Sequence, residues 1–470
     1  MVLEVQPGVI EHENTQMEKP TVSLIRYESS PHSLAKALRE SNGFEKIEGG
    51  HQVLIKPNLV GWDPEYPVAP YGVYTTSRLV EDMVILLRDY GIKDITIGEG
   101  SARRGRRGKG GRLHGTSLIF SALGYRYLRE KYGVKLLDFF DEPFEKVDFE
   151  KFSLNISKVA LGADFVINMP VLKTHNQTRL SLGLKNLKGC IDIKSRRFCH
   201  NETIPLDLFC SFFVEAIRPS LTVLDGIYAL EKGPYYLGTA HRMNAIVASQ
   251  DPLAVDTLGA MIAGFEPMAV DHIALYAKRH NRSLNVDSFT VKGCDLAEFK
   301  KPLKWDFRWR EDNTGPKNWD KLGVSGISIP KYDQTICTGC SSMFNPLLMI
   351  FTSAYKGEPF EGIEVLSGKK MKPSQGFNKT VLFGNCMIRK NRRDPNIKEA
   401  VYIRGCPVTM EEIIGQLGKM GINADIEIFA QFRESLAKRY DGNPDFDPRH
   451  YFMPGATGYD REKRRGMPPA

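Results

Sequence analysis

No apolar run in this sequence approaches the ~18 residues that a membrane-spanning helix needs, so no segment of it is expected to cross a bilayer. Cysteine is scarce, at 8 in 470 residues. That excludes a disulfide scaffold and suits a compartment where thiols stay reduced. The first twenty residues carry Glu4, Glu11, Glu13 and Glu18 with no apolar core, unlike a secretory leader or an Arg-rich transit peptide. A cytoplasmic location is the expectation, and no internal repeat is visible. What is present is ordinary for a globular protein: 42% hydrophobic and 26% charged residues, in a length suited to two or three domains. The net charge of +8 favours anionic partners without choosing among nucleic acid, nucleotides, acyl-CoA and acidic electron-transfer proteins.

Short apolar runs alternate with helical patterns. Val53 to Val60 is a strand broken by Lys56-Pro57-Asn58. Ser77 to Tyr90 places Leu79, Val80, Met83, Val84 and Leu87 on one helical face, with Ser77 to start it and Gly91 to end it. Ile95 to Ile97 is the next strand, which completes a βαβ unit and predicts a parallel sheet. Asp164 to Met169, Leu221 to Asp225 and Ala245 to Ser249 are further strands. Ligands bind at the carboxyl rim of such a sheet, which nominates Lys56, Asn58, Glu99, Lys173 and Asp225. Asp251 and Asp256 flank the start of a helix from Leu253 to Ile262, where the helix dipole favours carboxylates. Beyond the Trp-rich stretch from Lys300 to Lys331, Thr380 to Phe383 and Ala400 to Ile403 read as strands. Thr409 to Gly421 reads as a helix capped by Thr409, with Asp425 to Phe429 closing the module.

Four cysteines mark that last part: Cys337-Thr-Gly-Cys340, Gly384-Asn-Cys386 and Gly405-Cys406-Pro407. The first pair sits on one backbone turn, and each of the others follows an apolar run and a glycine at a strand end. Four thiolates from turns and strand ends suit a 4Fe–4S cluster or a structural zinc. The cluster is favoured, because zinc modules use two close pairs and only the first pair here is close. Gly339, Gly384 and Gly405 would let backbone N–H groups approach the sulfurs. Cys190, Cys199, Cys210 and Cys294 read as small core residues.

A second constellation is basic: Lys56, Lys173, His175, Lys185 and Lys188. Lys173-Thr-His175 follows a strand and a proline, and Lys185 and Lys188 share a face if their segment is helical. Cations converging on a crevice bind carboxylate or phosphate, and a nearby His175 can move a proton. The competing reading is a solvated lysine surface. The segment from Gly98 to Gly115 interleaves six cations, Arg103 and Arg104 among them, with glycine. It has neither the phosphate-loop nor the dinucleotide-loop spacing. Flexible glycine with dense arginine suits a phosphate clamp or a sequence-independent nucleic-acid contact, and a mobile, solvated insertion is the bland alternative of equal weight to those two together.

Val53-Leu-Ile-Lys-Pro-Asn-Leu59, Gly98-Glu-Gly-Ser101, Ala163-Asp-Phe-Val-Ile-Asn-Met-Pro170, Leu172-Lys-Thr-His175, Gly183-Leu-Lys-Asn-Leu-Lys-Gly189, Val223-Leu-Asp-Gly226 and Asp251-Pro-Leu-Ala-Val-Asp256 together resemble the "domain of unknown function 362" family over about residues 50–275. The resemblance implies an α/β fold and, as in other members, an iron–sulfur module after it. The cysteine neighbourhoods are in turn similar to the proximal-cluster ligands of nickel–iron hydrogenase small subunits and of the related respiratory-complex subunit. No second cysteine set for a further cluster is present.

The expected architecture is α/β, a mostly parallel, helix-covered sheet followed by a smaller α/β iron–sulfur module. The divisions are a polar leader (1–20), the large domain (21–299), a connector (300–331), the four-cysteine module (332–432) and a surface or disordered tail (433–470). The expected function is an iron–sulfur oxidoreductase passing electrons from a ferredoxin-like donor to a small anionic organic substrate. Lys56, Lys173 and Lys185 would hold the anion and His175 would supply a proton. A non-redox lyase or isomerase with a structural metal centre is the first alternative. A nucleic-acid-binding protein using the arginine segment is the second and less favoured.

Overall fold

The computed structural model describes residues 19–62, 68–102, 115–235 and 237–458. The chain forms β1 (Thr21–Arg26), β2 (Gln52–Pro57), β3 (Asp94–Glu99) and β4 (Lys135–Asp138), then a hairpin of β5 (Phe144–Phe149) and β6 (Phe152–Ser157). β7 (Phe165–Met169), β8 (Val171–His175), β9 (Arg179–Ser181), β10 (Leu221–Glu231), β11 (Thr239–Ser249) and β12 (Thr290–Gly293) follow. The large sheet runs β12-β1-β11-β10-β7-β2-β3-β4. From β10 to β4 all neighbours are parallel. Val53, Leu54 and Ile55 are buried because helices cover both faces of this part. The helix Ser77–Asp89 lays Leu79, Val80, Met83, Val84 and Leu87 on the sheet, and Thr76 takes the N-cap one residue before Ser77.

β11 is an antiparallel strand of this mostly parallel sheet. It pairs antiparallel with both β10 and β1, since a hairpin and not a crossover helix joins it to β10. Asp251 therefore follows β11 at the edge opposite the rim, where it accepts the Leu253 N–H at 2.9 Å and caps the helix Pro252–Ile262.

The second sheet comprises β13 (Ile327–Ser328), β14 (Ile363–Leu366), β15 (Lys379–Phe383) and β16 (Glu399–Ile403), all parallel. The stretch 300–331 is more than a connector. It contributes β13, and Trp319 is fully buried in the core of this second domain, its Nε1–H donating to Thr352 at 2.8 Å. A two-residue strand leaves too little periodicity to be read from sequence. The helix Met410–Gly418 has the expected cap, Thr409 accepting from the Glu412 N–H, and the closing segment begins a helix, Ile426–Ala437.

The described part of the tail is an ordered strap. It returns to the large domain, where Tyr440, Phe446 and Tyr451 pack around Tyr71 and Tyr228. The Tyr451 hydroxyl accepts the Gly72 N–H at 3.1 Å, and the Tyr71 hydroxyl donates to the Phe446 carbonyl at 3.0 Å. Spaced aromatics on a polar background gave no periodic signal, yet each buries a large ring. Among the described residues, no helix is long and apolar enough to cross a membrane.

Candidate functional site

The carboxyl rims of the two sheets face one another across a cavity of about 660 Å³. The large domain lines it with Lys56, Asn58, Glu99, Lys173, His175, Lys185 and Lys188; the second domain lines it with Cys337, Thr338, Gly339, Met343 and Pro407. Side chains cross the seam beside it. Gln177 donates to the Asp333 and Ile336 carbonyls, both at 3.0 Å, and Gln334 donates back to the Gln177 carbonyl at 2.9 Å.

The floor is a buried ion pair. Lys56 is 1% exposed, and its ammonium donates to Glu99 at 2.9 Å, to the Pro57 carbonyl at 2.9 Å and to Asn186 at 3.2 Å. All three N–H donors are thus used within the protein. Glu99 also accepts the Leu59 and Gly100 N–H groups at 3.0 and 2.9 Å. Gly189 must be glycine here, because a Cβ would fall 2.5 Å from the Lys56 nitrogen and against Glu99. Lys173 stands on β8, which continues past the end of β7, and donates to Asn58 at 2.6 Å and to the Val73 carbonyl at 2.7 Å. Burial, with Lys185 and Lys56 nearby, holds its pKa well below the ordinary lysine range.

Lys185 differs from these two. It lines the cavity and makes no hydrogen bond or ion pair among the described residues. Burial lowers its pKa to about 8. Its short helix Gly183–Asn186 is held from below by Asp256, whose carboxylate accepts the Gly183 and Leu184 N–H groups at 2.6 and 2.9 Å. Lys188, on the next turn as the helical reading expects, meets His200 Nε2 at 2.8 Å. His200 Nδ1 meets the Gln334 carbonyl at 2.7 Å, so that nitrogen carries the proton. His175 accepts the Gln177 N–H on Nδ1 at 3.1 Å, which leaves the proton of the neutral ring on Nε2. Burial and the surrounding lysines push its pKa well down, so the ring is neutral at neutral pH.

Asp225 stands apart from the cavity. It accepts the Thr76 N–H at 2.6 Å and the Ile227 N–H at 3.0 Å, at the start of the helix Ser77–Asp89. Arg103 and Arg104 lie outside the described residues, as does the rest of 103–114. Cys190, Cys199 and Cys210 are core residues, and burial raises the Cys190 thiol to about 12 and Cys199 to about 11. Several participants escaped the sequence reading. Asn186 and Gly189 sit inside the Gly183–Gly189 motif, which could have flagged them. Arg196 donates to the Gly100, Ser101 and Gly189 carbonyls at 2.9, 3.0 and 2.7 Å. Neither Arg196 nor His200 carries a spacing that announces it.

All four nominated cysteines follow the carboxyl ends of strands in one parallel sheet. Cys337 is the N-cap of the helix Thr338–Ala354 and Cys340 lies in its first turn. Cys340 hydrogen-bonds to Cys337, and the Gly339 and Cys340 N–H groups also point at the Cys337 sulfur, which lowers its pKa below the ordinary thiol range. The Cys340 thiol is pushed upward by the same partner and accepts the Val408 N–H. Cys386 lies in the first turn of the helix Asn385–Asn391, and Cys406 follows β16; both are exposed. Gly384, beside Cys386, packs close enough that a Cβ there would lie 3.4 Å from the Cys340 sulfur. Soft donors at helix N-termini suit an iron–sulfur centre. Among the described residues, no three His, Cys, Asp or Glu side chains close into a metal-binding group. Of the four, only Cys337 lines the cavity.

Residues 53–261 match the family described as Domain of unknown function (DUF362). The match contains the floor and Lys173, Lys185 and Lys188, and none of the four cysteines. A thylakoid-associated protein of Synechocystis sp. is 32% identical over 219 residues, or 45% of this chain; the chain spans 62% of that protein's length. Among solved structures, the lactate racemase apoprotein from Thermoanaerobacterium thermosaccharolyticum overlaps at a TM-score of 0.30 and 13% identity, covering 49% of this chain and 54% of that one.

Proposed function

We propose that this chain is an iron–sulfur oxidoreductase that takes an organic anion into the cavity between its two sheets. One arrangement carries the reading: Cys337, Thr338 and Gly339 line the same cavity as Lys173, Lys185 and Lys188. Cys337, Cys340, Cys386 and Cys406 would hold a 4Fe–4S cluster, which supplies one-electron chemistry when bound. Their resemblance to hydrogenase proximal-cluster ligands supports that assignment.

The chain's own residues do the rest. Lys56 and Glu99 neutralise one another and set the floor. Lys173 fixes Asn58. Lys185, with no partner among the described residues, meets the charge of the anion, and Lys188 holds His200. Neutral His175 offers an Nε2–H as a hydrogen-bond donor. With its pKa of about 8, Lys185 is better placed than His175 to give or take a proton near neutrality. The exposed edge at Cys386 and Cys406 is where a ferredoxin-like donor would dock.

The test is the iron, acid-labile sulfide and zinc content of anaerobically purified protein, with visible spectra before and after dithionite. About four irons and four sulfides, with a broad absorption that bleaches on reduction, are expected for such a centre. One zinc and a colourless protein would overturn the redox reading. Lys185 would then favour the second reading, a lyase or isomerase whose activity survives without any reductant.

A further inference from the structure

The cavity has more room and more apolar wall than a small hydrophilic anion needs. At about 660 Å³ it is the size that holds a drug-sized ligand. The helix Thr338–Ala354 presents Gly339, Ser342, Met343 and Pro346 to it, a helical spacing of three and four residues. Within that face the wall changes from small and polar to apolar over about 10 Å. Leu436 and Tyr235 extend the apolar lining. Lys173, Lys185 and Lys188 come from one place, the helical turns Gly183–Asn186 and Leu187–Cys190 and the adjacent β8, while Arg196 and Arg197 line the cavity from the helix Ile193–Phe198 and Arg433 stands one turn before Leu436. An ammonium without a partner in such surroundings is costly unless a ligand pairs it.

We infer that the ligand is an amphipathic carboxylate, its single anionic head set against Lys185 and its apolar body lying along Met343, Pro346 and Leu436. This rests on the anion-site reading above and adds the class of ligand. The fold satisfies Lys56 and Lys173 from within and leaves Lys185 for the head. The apolar face gives affinity that grows with the length of the body.

The test is calorimetric titration of the full-length, anaerobically purified chain at pH 7. The probes are butanoate, hexanoate, octanoate and decanoate below their micelle concentrations, with inorganic phosphate and decanol beside them. Affinity should rise about fourfold per methylene. Lys185→Gln should weaken every carboxylate by a similar factor, whereas Met343→Asn should flatten the dependence on length. Thermal melting would confirm that both variants fold. If phosphate and butanoate bind as tightly as decanoate, the ligand is a small hydrophilic anion; the amphipathic class falls and the anion site stands. If decanol binds as well as decanoate, the head is not read and the inference fails. If the folded protein binds no anion at all, this inference and the anion reading fall together.

Discussion

Lys56 and Cys386 hold comparable places, each where a parallel strand meets the rim of its sheet, yet Lys56 is almost wholly buried and Cys386 is exposed. The large domain closes its rim with its own atoms: Lys56 on Glu99, Asn58 on Lys173, Arg196 on three carbonyls. The second domain faces the cavity with Cys337 and leaves Cys386 and Cys406, on a helix N-terminus and a loop, exposed. A buried charge must be paired where it stands, because desolvation makes an orphan costly. An exposed thiol carries no such demand and stays available for chemistry. Substitutions on the first rim should therefore act through folding, and those on the second through what it binds.

The largest effect should come from Lys56→Met, which leaves Glu99 buried with no ammonium. A loss of about 3–5 kcal/mol is expected in urea unfolding. A loss below 1 kcal/mol would mean that this rim is as tolerant as the other. Asp256→Ala removes the acceptor of two buried N–H groups beneath the Lys185 turn. It should cost about 1–3 kcal/mol and weaken anion binding as well.

The next effect concerns binding alone. Lys185 sits near Lys188, Asp207 and Cys210, and only its ammonium form attracts an anion. Its pKa is lowered to about 8, so the charge is present below pH 8 and lost above it. Anion affinity measured against pH should be level up to about pH 8 and then fall about tenfold per unit, a fall absent in Lys185→Gln. Affinity that stays level to pH 10 would remove Lys185 from the site. The smallest stability effect is expected for Cys386→Ala and Cys406→Ala. The large domain should melt within about 0.5 kcal/mol of the parent, while iron content collapses. Coupled unfolding of both domains in these variants would dissolve the contrast between the rims.

Much of this was legible along the chain. The βαβ start, the Thr409 cap, the place of Asp251 at a helix start and those of Cys386 and Cys406 beyond strand ends follow from local rules, because caps and strand ends depend on residues a few positions apart. The cations of the Gly183–Gly189 motif were legible as a group. Their division of labour was not. Lys56 and Lys185 are the same residue type in similar surroundings, and what separates them is Glu99, which is 43 positions from Lys56 and 2.9 Å away.

The residues themselves determined the alternating elements, the basic set and the cysteine set, since propensity, capping and spacing act over one or two turns. Tertiary structure alone decided that β11 runs antiparallel, that Trp319 belongs to the second core, that the strap of Tyr440, Phe446 and Tyr451 folds back on Tyr71 and Tyr228, and that Cys337 shares a cavity with Lys185. Each of these is a contact between distant positions, set by which surfaces bury against each other, and no local pattern records it.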